Sequence, residues 1–214
     1  MAFNDPSGYT SWYTFHPLIR ESERLLIKSL RPRDCLDVGS GPSVFHEVFQ
    51  GNTISLDASL PMINAAAKEE DRVVGDALHL PFRDSSIPCV FSCAVLPFLK
   101  SGDDFLKEVK RILRPGGELI LCDIAKDSPW GFRYARLGAE GDPYYSRARL
   151  YARKELLGLI SRYFEVKKVV STLRDTPDEE KFEEAEENEN GAFLCVKAVP
   201  LVRSKEGSSR VIPE

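Results

Sequence analysis

Three aspartates, Asp37, Asp57 and Asp76, follow one another at intervals of 20 and 19 residues, each closing a short strand-like run. The first leads into a glycine turn, Asp37-Val38-Gly39-Ser40-Gly41-Pro42-Ser43. A strand that ends in such a turn builds a nucleotide site at the carboxyl edge of a parallel sheet. The interval matches one strand–helix unit, so all three carboxylates fall along that edge. Asp57 stands where an acid accepts hydrogen bonds from both ribose hydroxyls, and its charge repels a 2′-phosphate.

A dinucleotide site wants G-x-G-x-x-G, and here Val44 occupies the place of the third glycine. Asp37 also sets negative charge where a pyrophosphate would lie. A cationic, phosphate-free nucleoside suits this edge better. S-adenosyl-L-methionine has a sulfonium, an amino group and a ribose, and no phosphate.

Other candidates for chemistry are fewer. His16 sits in an aromatic segment with Tyr9, Trp12 and Tyr13; it is a possible general base, its ordinary pKa lying near neutrality. A packing or capping role before Pro17 is the alternative. Cys89 and Cys93 share one face of a strand, but no histidine pair completes a metal set, and core packing is expected. No metal is expected. The run 178–189 holds eight acids and one lysine and reads as a solvated hairpin loop.

The elements that must position these residues alternate. A helix is expected over residues 18–30, ended by Arg31-Pro32. The first strand covers 35–38, with a helix starting at Pro42 and stopping at Gly51. Strands follow at 53–57, 72–75, 88–93 and 118–122, with helices over 61–69 and 103–113 and a hard turn at Arg114-Pro115-Gly116-Gly117. This rhythm implies a parallel sheet. Residues 124–150 then form a long connector, followed by a helix over 154–163 and strands at 164–170 and 193–199.

Several blocks resemble the class I S-adenosylmethionine-dependent methyltransferases, in the small branch related to ubiquinone-biosynthesis enzymes. They are Leu36-Asp37-Val38-Gly39-Ser40-Gly41, Leu56-Asp57-Ala58-Ser59 with Met62, and Gly75-Asp76-Ala77-Leu78-His79-Leu80-Pro81-Phe82. Glu108-Val109-Lys110-Arg111-Ile112-Leu113-Arg114-Pro115-Gly116-Gly117 and the N-terminal Tyr9-x-x-Trp12-Tyr13 complete the set. The resemblance covers residues 9–199. It implies a Rossmann-like three-layer α/β sandwich with a seven-stranded, mostly parallel sheet and an antiparallel last strand.

It also implies roles. Gly39, Ser40 and Gly41 face the methionine part of the cofactor, Asp57 holds the ribose with Ala58 beside it, and Met62 packs on adenine. Asp76 accepts from the adenine amino group next to Ala77, and Cys93 and Ala94 lie near the sulfonium. Tyr9, Trp12 and Tyr13 form a lid. Within the connector, Tyr134 and Tyr145 are expected to cover a small-molecule acceptor, and Arg133, Arg136, Arg147 and Arg149 are either anion partners or solvated charge. Ser43 departs from the family's third glycine and adds bulk in the expected helical turn. Two other readings stay open: a catalytically silent S-adenosylmethionine sensor or scaffold, and a nicotinamide-dependent oxidoreductase.

Composition sets the outer bounds. The chain has 214 residues, 43% hydrophobic and 29% charged, which fits a single domain over 1–200 with a polar tail at 201–214. Within it, residues 1–30 carry the lid and 124–150 the substrate cap. A formal net charge of -4 gives no reason to expect nucleic acid or an anionic membrane. No apolar run reaches the ~18–20 residues of a membrane span. Five cysteines without a CxxC pair read as reduced, buried small hydrophobes, in a cytoplasmic setting.

Overall fold

The computed structural model describes residues 2–66 and 71–202. Seven strands form one sheet: β1 (Cys35–Val38), β2 (Ile54–Asp57), β3 (Asp71–Val74), β4 (Ile87–Cys93), β5 (Leu113–Ile124), β6 (Phe164–Thr172) and β7 (Phe193–Pro200). Their order is β3-β2-β1-β4-β5-β7-β6. The first five are parallel, and β7 runs antiparallel between β5 and β6. The mostly parallel α/β sheet with an antiparallel last strand is as expected.

Six helices accompany it among the described residues: α1 (Pro6–Phe15), α2 (Pro17–Ser29), α3 (Leu60–Asn64), α4 (Gly102–Ile112), α5 (Pro129–Ala139) and α6 (Arg153–Ser161). Successive strand residues feed opposite faces. Leu36 and Val38 join a core with α4 and α6, whereas Cys35 joins one with α2 and α5. In α4, Phe105, Leu106, Val109 and Ile112 are fully buried, each stabilising by about 1.5–3 kcal/mol. Ser101 caps that helix by accepting from the Asp104 amide at 3.1 Å, and acids in its first turn and bases in its last complement its dipole.

The structure corrects several local expectations. No α-helix follows β1; two turns and a single 3₁₀ turn at His46–Val48 replace it. Ser43 adopts φ 54°, a left-handed conformation that cannot continue an α-helix. A side chain there costs about 1 kcal/mol, which is the physical pressure for glycine. Ser43 therefore does not crowd a helical turn; its hydroxyl is buried 3.1 Å from that of Ser55. At the N-terminus the aromatic segment forms a helix, α1, with Pro6 at its start and Asp5 accepting from the Gly8 amide at 2.9 Å.

Further corrections follow along the chain. α3 ends at Asn64 rather than running through 69; positions 67–69 of that expectation lie outside the described residues. The Pro-Gly-Gly turn is absorbed into β5 as a bulge, where pairing jumps from Ile87↔Leu113 to Cys89↔Glu118. The connector contains α5, capped by Ser128, whose Oγ accepts from the Gly131 amide at 3.0 Å. The acidic run is not simply solvated: the Glu183 amide donates to Ser22 Oγ at 2.9 Å and Glu180 accepts from the Leu18 amide at 2.8 Å, so it lies across α2. Most of the polar tail, 203–214, lies outside the described residues.

The cysteines depart most from expectation. Cys35 and Cys89 are neighbours on β1 and β4, with Cα atoms 4.3 Å apart, and form a disulfide. Cys122 and Cys195 face each other across β5 and β7 at 4.0 Å and form a second. Cys93 alone keeps a free thiol. The inference of a reducing compartment thus loses its premise. Among the described residues no helix is long and apolar enough to cross a membrane.

Candidate active site

The carboxyl ends of β1 to β4 open onto a cleft of about 350 Å³. Its floor is the turn after β1. Gly39 and Gly41 take φ 73° and 54°, and a Cβ on Gly39 would stand 2.3 Å from Val95 Cγ2. The turn therefore closes only with glycine at 39. Asp57 ends β2 and is held by two amides: Gly41 donates to its Oδ2 at 2.9 Å and Ser59 to its Oδ1 at 2.8 Å. Ser59 also caps α3, which brings Met62 into the wall beside Gly41 and Ala58.

Asp76, Ala77, Cys93 and Ala94 line the same cleft. The Asp76 carboxyl is held below its usual range, first by the Leu78 amide at 2.9 Å and then by His79 at 3.1 Å. Asp37 is buried within β1. Ser40 Oγ, between the two cleft glycines, is buried with no hydrogen-bond partner among the described residues. The cleft thus offers two carboxylates, a closely approached backbone turn and the apolar walls of Leu56, Met62 and Leu99. That donor and acceptor set fits a phosphate-free adenosine ligand bearing a cation.

A second cavity, of about 520 Å³, adjoins the first. Phe3, Tyr9, Ala94 and Phe98 belong to both. Ala94 holds φ 55° there, a strained conformation of the kind that gathers at functional sites. α1 supplies Tyr9, Trp12 and Tyr13, and the connector supplies Tyr134 and Tyr145, whose rings stack at 4.2 Å. The rings of Tyr13 and Trp12 meet edge-on at 4.9 Å.

His16 joins α1 to α2 at the cavity rim. Its ring lies 4.6 Å from Trp12, and its Nδ1 is 3.4 Å from Glu180 with 40% of the side chain exposed. The arginines of the connector mostly have partners within the chain. Arg133 lies 3.7 Å from Asp178, Arg136 3.8 Å from Glu140, and Arg149 stacks over Tyr151 at 5.5 Å. Arg147 lines the first cleft.

Two acids that the sequence reading passed over lie deep in the second cavity. Glu23 is 4% exposed and accepts from the Tyr13 hydroxyl at 3.1 Å. Burial pushes its carboxyl up to about 8. Asp123 is 3% exposed; its Oδ1 accepts from the Ile124 amide, and its Oδ2 is buried with no partner among the described residues. Burial likewise pushes it up to about 8. Both had sequence signals. Glu23 sits on the same α2 stripe as the buried Ile19, Leu26 and Ile27, and Asp123 ends the apolar run of β5 as Asp57 ends β2. Among the described residues no group of three or more His, Cys, Asp or Glu is arranged to hold a metal.

Comparison with known proteins agrees with this geometry. Residues 36–121 match the Methyltransferase domain family. An uncharacterized protein of Methanocaldococcus jannaschii is 25% identical over 89% of this chain and 94% of its own. The malonyl-[acyl-carrier protein] O-methyltransferase of Xylella fastidiosa is 30% identical over 64% of this chain, which spans about half of that enzyme, 52%. A crystal structure from Thermotoga maritima, described as a SAM-dependent methyltransferase and possible histamine N-methyltransferase, is 28% identical with a TM-score of 0.82, covering 89% of this chain and 93% of its own. These likenesses set aside the nicotinamide reading. Residues 36–121 thus form a methyltransferase domain of the S-adenosylmethionine-dependent kind.

Proposed function

We propose that the chain methylates a small molecule held in the aromatic cavity by in-line displacement. The supporting observation is the shared wall of Phe3, Tyr9, Ala94 and Phe98, which joins an aromatic cavity to the cofactor cleft. In this reading the cofactor supplies an electrophilic methyl carbon. Asp57 accepts from the ribose hydroxyls. Met62 and Leu99 flank the adenine, with Asp76 and Ala77 at its edge. Gly39, Ser40 and Gly41 admit the amino-acid part. Asp37 adds negative charge beneath it. Cys93 and Ala94 border the point of transfer.

The donor carries its own activation, so alignment is the protein's main contribution. Holding two groups in near-attack geometry contributes about 7–11 kcal/mol of barrier reduction. The rings of Tyr9, Trp12, Tyr13, Tyr134 and Tyr145 exclude water, which favours dispersal of charge as the thioether leaves. Glu23 and Asp123 reach further into the cavity than His16, which is turned to Glu180 at the rim. We therefore assign proton acceptance to the carboxylates.

The relatives' own descriptions name an O-methyltransferase and a possible N-methyltransferase, so the acceptor atom is chosen by the cavity's chemistry. The test is S-adenosylhomocysteine formation by the purified full chain against fractionated metabolite pools. Product is expected with at least one small-molecule pool. Good cofactor binding with no product from any pool would support a silent sensor instead.

A further inference from the structure

We infer that the aromatic cavity is an amine site, in which Glu23 and Asp123 hold the ammonium group of a small aryl- or alkylamine and accept its proton as the nitrogen is methylated. This rests on the reading of the cavity as the acceptor pocket. Three independent observations support it.

The first is the orphaned acceptor. Asp123 Oδ2 is buried at the cavity wall with no hydrogen-bond partner among the described residues. Such a group is costly unless a donor arrives. An ammonium brings three donors and a positive charge.

The second is the balance of charge. The cavity is lined by Glu23, Asp123, Asp142, Asp178 and Glu180 against a single arginine, Arg133, which lies 3.7 Å from Asp178. A carboxylate or phosphate acceptor would find one arginine among five acidic side chains; a cation suits that set. The third is the wall itself, since faces of tryptophan and tyrosine attract a desolvated cation.

Nearby titratable groups do not compete for the proton. Glu23 is faced by Tyr9 and Tyr13 from α1, Cys93 from β4, Tyr134 from α5 and Tyr145 beyond it. Burial pushes all four tyrosines up, and it pushes the Cys93 thiol up with further help from Glu23, Asp123 and Asp37. The two carboxyls, each raised to about 8 by burial, are protonated in the empty cavity at neutral pH. Entry of an ammonium ionises one of them and releases its proton to solvent.

In the reaction the ammonium gives a proton to that carboxylate. The freed lone pair forms the N–C bond as the S–C bond breaks, and the electrons of the broken bond stay on sulfur. The positive charge passes to the methylated ammonium, which the carbonyl oxygen of the second, still protonated carboxyl and the rings can hold.

The experiment is isothermal titration calorimetry on the full chain saturated with S-adenosylhomocysteine at pH 7. The probes are 2-phenylethylamine, 2-phenylethanol and 3-phenylpropanoate, each in two buffers of different ionisation heat. The amine should bind about tenfold or more tighter than the alcohol, the scale of a charged hydrogen bond, and the anion weakest. Amine binding should release about one proton, and alcohol binding none. Glu23→Gln and Asp123→Asn should each remove most of the amine preference and the proton release, while affinity for S-adenosylhomocysteine and the alcohol stays within about twofold. Equal binding of amine and alcohol, preference for the anion, or wild-type amine affinity in both variants would overturn the inference. So would binding of none of the probes to a chain that holds S-adenosylhomocysteine, which leaves the methyltransferase standing. Failure to bind S-adenosylhomocysteine would bring down the cofactor cleft and this inference together.

Discussion

Replacing Glu23 by glutamine should flatten the pH dependence of folding stability. Glu23 is 4% exposed, it accepts from the Tyr13 hydroxyl at 3.1 Å, and burial lifts its carboxyl from 4.5 to about 8. Below pH 4.5 the folded and unfolded chains both hold the proton, and the group contributes nothing. Above it the unfolded chain releases the proton while the fold retains it, so stability falls with pH by about 1.36 kcal/mol per unit until the folded carboxyl ionises near 8. Between pH 5 and pH 8 the loss is about 3–4 kcal/mol, a little under three full units because titration is gradual at each end. Glutamine fills the same volume, its amide oxygen accepts from Tyr13, and it has no proton to lose. Asp123, lifted from 3.8 to about 8, adds a slope of the same sign to both proteins and cancels in the difference. Urea unfolding at pH 5, 6, 7 and 8 with the disulfides intact reads the effect. The stability of Glu23→Gln relative to wild type should rise by about 3–4 kcal/mol across the range. Parallel curves would refute the assignment of a buried, protonated Glu23.

Three further outcomes are expected. Asp57→Ala should weaken S-adenosylmethionine binding by about 1–3 kcal/mol in calorimetry, and unchanged affinity would contradict the ribose assignment. Gly39→Ala drives a Cβ to 2.3 Å from Val95 at φ 73°, so it should lower stability by about 1–3 kcal/mol; adding Val95→Ala should restore only part, and a wild-type melting temperature in the single variant would show the turn to be slack. Thiol titration of the unfolded, unreduced chain should find one reactive thiol, Cys93, and five after reduction; five before reduction would rule out both disulfides.

The cofactor edge was readable in the chain because its signals are local. An acid at a strand end, a glycine turn and a second acid one strand–helix unit later are spaced by the rise of the elements themselves. α4 was readable for the same reason, since Phe105, Leu106, Val109 and Ile112 follow the helical period. Local signals also misled. The segment after Pro42 has a helix start and a glycine stop, yet Ser43 turns left-handed between them. No helix is expected over Tyr9, Trp12 and Tyr13, yet Asp5 and Pro6 start one through them.

The linear order of residues determined the parallel sheet, the cofactor cleft and the adenosine ligand it suits, because each depends on patterns a few residues to one repeat long. Tertiary structure alone decided the rest. Strand order set Cys35 beside Cys89 across 54 residues and Cys122 opposite Cys195 across 73. It also carried Glu23 from α2 and Asp123 from β5 into one aromatic cavity, where burial rather than residue type gives both carboxyls their raised pKa.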